Sequence, residues 1–428
     1  DWQTGSIKTT TFTATNGEGY FANTSGGAFT MNLPAGVAGN IVSVVDYTNT
    51  FQTYNLTVSP NGSDKIGGTN ANTELSTEAQ SLTLVYVDGV EGWKAVQDST
   101  SIVEGGAFIV ATVSGTCNTL TCCGNYKFAN FKNPGTFCVS SGSGGKAIAD
   151  YLVVAGGGGG GTEYASSTGA AGAGGGGYRF SNCSPDFCAA GSPGNPLAGT
   201  QLPVSPGPYS IVVGGGGAAP SSPGTAGANG GVSTFSTICS AGGGGGGNTV
   251  GPQAVKDGQD GGSGGGGAHC AAGGSGNTPA TVPAQGKDGG GNNPASGGQF
   301  YLGGGGGGAI VAGTIGGPSS AGPGGAGGGL PNAAFGAFGQ PCGSYRYFSG
   351  GGGGGGSVGT PTTGPAGSGG LGGGAAGGAG GSAAPAAATI NTGGGGGGGG
   401  NYGPYPHTPV VAGSAGGSGI VIIRYKFQ

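Results

Sequence analysis

The sequence predicts an all-β chain joined to a non-helical, glycine-rich region. An N-terminal β module leads into a bundle of polyglycine-II helices with short β strands at its edges. Three observations predict this. Short alternating apolar runs, separated by Asn-Gly and Gly-Gly, fill the first hundred residues. Of the 117 glycines, 20 lie in residues 1–150, which leaves 97 for the other 278 of the 428 residues. Those glycines recur in runs, at 156–161, 214–217, 242–247, 264–267, 303–308, 350–356 and 393–400.

Residues 1–100 form the first unit. Strands are expected around Phe12, at Tyr20 and Phe21, and over 29–33, then in NIVSVVDY, YNLTVSP, SLTLVYV and GWKAVQD. Asn61-Gly62 and Asp88-Gly89 mark two of the turns. Residues 101–150 are a β connector with three short β runs and a Pro134-Gly135 turn. The third unit, 151–428, opens with DYLVVA running straight into six glycines and closes on Ile420, Val421, Ile422 and Ile423.

Composition excludes the usual readings of such a glycine content. There is no Gly-X-Y period, so the chain is not collagen-like. Disordered segments are commonly rich in charge, whereas residues 151–428 carry 5 acidic and 6 basic groups against 11 and 6 in residues 1–150. Flexible linkers do not alternate with long, non-repetitive loops bearing Tyr, Phe and Cys. Polyglycine offers an ordered alternative, an extended helix of three residues per turn with no internal hydrogen bonds. Its N–H and C=O groups must be satisfied by neighbours, and only glycine lets the axes approach closely enough. Glycine loses the most backbone entropy on ordering, so dense hydrogen bonding and the apolar edge strands must supply the stability.

The net charge of −4 comes without any basic cluster, so no nucleic-acid partner is expected. No apolar stretch reaches the length of a membrane helix, so no membrane insertion is expected. The start at Asp1, without a methionine, reads as a fragment or a processed product. Nine cysteines suggest an extracellular setting. The close pairs Cys117/Cys122 and Cys183/Cys188 are disulfide candidates, while the two histidines, His269 and His407, make no zinc pattern with them. No metal is therefore expected. The glycine runs lack the Gly-Lys-Ser/Thr of a phosphate loop, and GxGxxG matches open no helix. No cofactor and no catalytic residue are assigned. Asp257, Asp260 and Asp288, the one near cluster of acids, read as solvated loop charges rather than a calcium ligand set.

Two stretches carry a family likeness. GYFANTSGGAFTMNLPAG, VVDYTNTFQTYNLTVSPNG, IGGT and LVYVDGVEGWKAV, over residues 5–97, resemble a β-rich module of bacteriophage tail fibres. YKFANFKNPGTFCVS with DYLVVAGGGGGG, PGPYSIVVGGGGA, GVSTFSTICSAGGGGGG and GGSGIVIIRYKFQ, over 126–428, are similar to the glycine-rich domains of phage tail proteins. The whole resembles the polyglycine-II adhesins of T-even-type tail fibres. Cys122, Cys123 and Cys138 are not part of that pattern. The resemblance implies a virion protein of the distal tail fibre, extracellular and without enzymatic activity. It further implies a homo-oligomer, expected as a trimer, with other tail proteins and a host cell-surface protein or glycan as partners.

Loops held by a rigid scaffold are the usual place for recognition. Aromatic and arginine side chains are the expected anchors, which selects Phe300, Tyr301, Tyr345, Arg346, Tyr347, Phe348, Tyr402, Tyr405 and His407 as receptor-binding candidates. Phe335 and Phe338 are expected to plug the end of the bundle. The rival readings are a structural filament or matrix protein and an ice-binding protein. The first would show an open array of copies, the second a flat, regular Thr/Ala face. A capsule depolymerase would need a cleft with paired acids.

Overall fold

The computed structural model describes the chain except for residues 99–106, 164–168, 182–191, 222–224, 293–301, 333–334, 336–337, 360–361, 381–383 and 402–410. Among the described residues, regular structure is nearly all strand, with one short α-helix at Gln253–Lys256. In the first hundred residues two four-stranded sheets share one core. One orders Phe12–Thr13, Phe29–Asn32, Leu56–Ser59 and Thr73–Leu75, the other Glu18–Ala22, Ile41–Asp46, Ser81–Asp88 and Gly92–Asp98. Alternation along each strand sends Met31, Val44, Leu56, Leu84 and Trp93 inward. The last hairpin turns on Asp88, whose Oδ1 accepts from the Val90 and Glu91 N–H groups at 2.8 Å. Gly92 follows at φ 71°, and a Cβ there would stand 2.1 Å from the Lys65 carbonyl oxygen. That close approach requires glycine.

The strand Ile148–Val154 lies in the middle of a larger sheet, antiparallel to the closing strand Ile420–Lys426, which pairs on its other side with Tyr126–Phe131. Ala149, Tyr151 and Val153 enter one core with Phe137, Phe235 and Ile423. Leu152 and Val154 enter a second core with Tyr178, Phe348 and Ile422. A strand covered on both faces reads as a continuous apolar run, which explains DYLVVA. The first core is closed by a five-stranded sheet, Val110–Val113, Gly135–Ser141, Gly207–Val212, Ser233–Phe235 and Ile238–Ser240. The second takes residues from a three-stranded sheet of Gly328–Pro331, Tyr345–Phe348 and Gln340–Cys342.

From Val154 the chain leaves the sheet, and its N–H groups take three neighbours in turn. Gly158 donates to Gly174, Gly159 to Ala228 and Gly160 to Ser414; Ala155 and Gly161 return to the first neighbour at Gly177 and Ala171. Partner choice repeats every three residues, the period of a three-residue-per-turn extended helix. The carbonyls follow the same rule toward three further runs: Gly158 and Gly161 accept from Gly396 and Gly399, Gly156 and Gly159 from Gly243 and Gly246, and Gly157 from Gly217.

Residues 169–177 form the centre of this arrangement. Their N–H groups reach 241–247, 304–307 and 393–399, and their carbonyls accept from 155–161, 263–266 and 352–355. These six runs also bond to one another around a ring. Gly243 donates to Gly156, Gly244 to Ser263, Gly304 to Gly267, Gly306 to Gly352, Gly395 to Gly350, and Gly396 to Gly158. The result is a hydrogen-bonded hexagon of rods around a central rod. Glycine is required at the closest contacts, since a Cβ on Gly160 would fall 2.1 Å from the Gly397 oxygen and one on Gly352 2.0 Å from the Gly396 oxygen. Further runs flank the ring. In 214–217, Gly214 and Gly217 are buried while Gly215 and Gly216 are exposed, as expected of a three-residue period with one side facing solvent.

The cysteine expectation needs correction. Cys117 and Cys122 are both free and exposed. Cys117 occupies a turn at φ 61°, ahead of the strand Thr119–Cys123. An extended strand advances ~3.3 Å per residue, which carries Cys122 past the ~7 Å Cα separation that a disulfide bridges. Cys183 and Cys188 lie outside the described residues.

Candidate functional site

The rods have two ends. Val154, Tyr178, Phe348 and Ile420 all adjoin the sheets at one end, where runs begin or finish on strands. Tyr345–Phe348 forms a hairpin there with Gln340–Cys342, turning at Gly343, φ 57°. Its other neighbour, Gly328–Pro331, places Gly328 opposite Phe348 and Gly329 opposite Tyr347. Both glycines make room for rings: a Cβ on Gly329 would lie 2.8 Å from the Tyr347 ring, and one on Gly328 2.6 Å from Tyr178.

Strand alternation then divides the four candidates of this hairpin. Tyr345 and Tyr347 share one face, their ring centroids 6.4 Å apart and edge to face. Burial raises the Tyr347 hydroxyl above its ordinary pKa, with Cys342 and Tyr345 adding to the effect. Arg346 donates from Nη1 to the Gly339 carbonyl at 3.5 Å. Phe348 is 1% exposed and packs with Leu330 and Phe335 in the second core. It supports the hairpin from beneath and offers no contact surface, a correction that the period of two already contains. Phe335 is buried in the same core and Phe338 packs against it, with the Lys132 ammonium 5.1 Å above the Phe338 ring.

Phe300, Tyr301, Tyr402, Tyr405 and His407 lie outside the described residues. The chain flanking them belongs to the opposite end of the rods. Asn292 and Leu302 meet through the Asn292 amide and the Leu302 carbonyl at 2.7 Å, and Asn401 bridges to Ser357 while Val411 bridges to Glu163. Of the candidates that the structure describes, Tyr345, Arg346 and Tyr347 stand together on one hairpin with Phe348 beneath it.

The acidic residues Asp257, Asp260 and Asp288 also serve the backbone. Asp257 accepts from the Ala272 N–H at 3.0 Å, Asp260 from Ser275 at 2.6 Å and Asp288 from Gly276 at 2.7 Å. Asn229 and Gln285 do the same for Gly245 and Ala241, at 2.9 and 2.8 Å. Where a rod has no main-chain carbonyl beside it, a side-chain oxygen takes the N–H. Asp260 and Asp288 are exposed and Asp257 is half-buried, so the carboxylates stay solvated as expected while each also takes one backbone N–H of the segment 272–276. Among the described residues no group of three or more His, Cys, Asp or Glu could hold a metal ion, and no helix is long and apolar enough to cross a membrane.

One polar pair was not singled out from sequence. Arg179, in the strand Tyr178–Ser181, and Tyr151 line a common cleft. The available signal was Tyr178-Arg179-Phe180, which repeats the aromatic–arginine–aromatic order of Tyr345-Arg346-Tyr347.

Fold and site together define an all-β protein whose glycine-rich part is a lattice of hydrogen-bonded runs presenting side chains at its ends. The family model of the glycine-rich domain matches residues 132–426, and the chain belongs to that family. The match begins within the segment read from sequence as the connector. Among curated proteins the chain has no significant match.

Proposed function

We propose that this chain is a bacteriophage tail-fibre or tail-tip protein that attaches to the host surface through side chains displayed on a rigid scaffold of polyglycine-II rods. The observation that carries this reading is the closed hydrogen bonding of the central and ring rods. A scaffold already ordered before contact loses little further entropy when its loops meet a receptor. Tyr345, Arg346 and Tyr347 supply an aromatic–cationic strip of the kind that anchors interfaces, and Phe300, Tyr301, Tyr402, Tyr405 and His407 are the remaining contact candidates. The partners in this reading are a host protein or glycan, other tail proteins and further copies of the chain, expected as a trimer.

Binding of the purified chain to bacterial cells, and its competition with phage adsorption, tests the proposal. Deleting residues 340–349 or 402–410 should each reduce binding at least tenfold; unchanged binding with both removed contradicts it. A filament is the second reading, favoured by the exposed outer run at 214–217, where open space lies beside Gly215. Concentration-dependent growth of open arrays, without cell binding, would support that alternative.

A further inference from the structure

A cleft of about 380 Å³ opens between the central sheet and the five-stranded sheet. Tyr151, Arg179 and Gly199 line it from one side, Ile238 from the other, and Val282 and Pro283 at a neighbouring loop. Tyr178 and Phe180 face the second core, so alternation turns Arg179 to the opposite face, the one that Tyr151 shares.

The arginines of this chain have different fates. Arg424 is paired with Asp150 and lies 3.8 Å from the centre of the Tyr126 ring, and Arg346 reaches the Gly339 carbonyl. Arg179 has no ion pair or hydrogen-bond acceptor among the described residues. Tyr151 is 2% exposed, and its hydroxyl likewise has no partner among them. The two groups line the same cleft, and burial raises the hydroxyl's pKa, against the pull of the Arg179 charge, so the phenol remains a donor. A Cβ on Gly199 would stand 2.8 Å from the Tyr151 oxygen, so glycine keeps the space beside the hydroxyl clear.

An arginine offers N–H donors and no acceptor. Its planar fork matches the two oxygens of a carboxylate. Ile238, Val282 and Pro283 add apolar wall, and the volume is at the small end of ligand pockets, which start near ~300 Å³. We infer that this cleft binds a small, ring-sized organic carboxylate, with the carboxylate on the Arg179 guanidinium and the Tyr151 hydroxyl. This goes beyond the attachment reading and does not rest on it.

Equilibrium dialysis of the full chain against millimolar D-glucuronate and benzoate, each beside its neutral amide, tests the inference. At least one carboxylate should bind, its amide at least tenfold more weakly. Arg179→Gln should abolish that binding, and Gly199→Val, which fills the cleft but keeps the charge, should also weaken it at least tenfold. Lys94→Gln, at an exposed cation of the N-terminal sheets, should leave it unchanged, and melting curves establish that each variant is folded. Failure of both carboxylates to bind, equal binding of the amides, or full binding by folded Arg179→Gln overturns the inference. Cell attachment is a separate readout, carried by residues 340–349 and 402–410.

Discussion

Asp150 and Arg424 stand opposite each other in adjacent antiparallel strands, 274 positions apart in sequence, and their side chains meet at 3.4 Å in the buried interior. Ser181 and Gln201 also donate to the Asp150 carboxylate, at 3.0 and 2.9 Å. The strand that feeds the first rod is thereby fastened to the strand that receives the chain from the last. Removing one member strands the other charge, which typically costs about 3–5 kcal/mol. Arg424→Met should therefore lower the denaturation free energy by that amount, and Asp150→Asn by a similar amount. The double variant with apolar residues at both positions should recover much of the loss, as read from chemical denaturation.

Burial holds the Asp150 carboxyl above the usual carboxylate range, against the pull of the Gln201 hydrogen bond, the Arg424 charge and the Ser181 hydroxyl. The folded state thus keeps this proton to higher pH than the unfolded chain. Its contribution is fully present below the unfolded value of roughly 3.9 and is lost as pH rises through the folded value. The melting-temperature difference between wild type and Asp150→Asn should shift in favour of wild type as pH falls from 7 toward 4. A shift the other way would mean that the Arg424 charge outweighs desolvation.

One substitution should have opposite consequences at two kinds of glycine. Gly352→Ala and Gly160→Ala place a Cβ about 2 Å from a main-chain oxygen of a ring rod and should cost at least ~3 kcal/mol or abolish folding. Nothing lies within 4 Å of a Cβ on Gly215. Gly215→Ala should be neutral to stabilising, by up to about 1 kcal/mol, through the unfolded chain's lost freedom. Thermal melts of the three variants separate a packed lattice from a set of tethers.

In the N-terminal sheets, the buried Asp46 accepts from the Thr50 and Phe51 N–H groups at 3.1 Å and from Ala79 at 3.2 Å. Asp46→Ala leaves those donors unmet beside a sealed core and should destabilise by roughly 2–4 kcal/mol. Asp46→Asn, which keeps an acceptor, should lose less. Denaturation followed through Trp93 fluorescence reads both.

Much of this was legible in the residues. DYLVVA and the closing IVII run announce strands buried on both faces, and the recurrence of glycine runs announces rods of similar length. The strand Thr73–Leu75 escaped because three residues carry too little pattern. The identity of the central rod was hidden for another reason. Residues 169–177 include Ala170, Ala171 and Ala173, all fully buried, whereas the all-glycine run 214–217 lies outside the ring with Gly215 and Gly216 exposed. Position in the lattice is decided by how loops return the chain, which no single run encodes. The site was legible only in part: Tyr345 and Tyr347 share a face as alternation requires, and the same alternation buries Phe348. The N–H groups that Asp257, Asp260 and Asp288 meet were opaque, since only the neighbouring rod reveals them.

Amide hydrogen exchange, resolved by residue with NMR, tests the rod lattice most directly. The N–H groups of Gly158, Gly174, Gly304, Gly306, Gly352 and Gly396, each bonded to another run, should exchange only through global unfolding. Those of Gly215 and Gly216, exposed on the outer run, should exchange fast. Rapid, uniform exchange across all the glycine runs would contradict the lattice and return them to the status of flexible linkers.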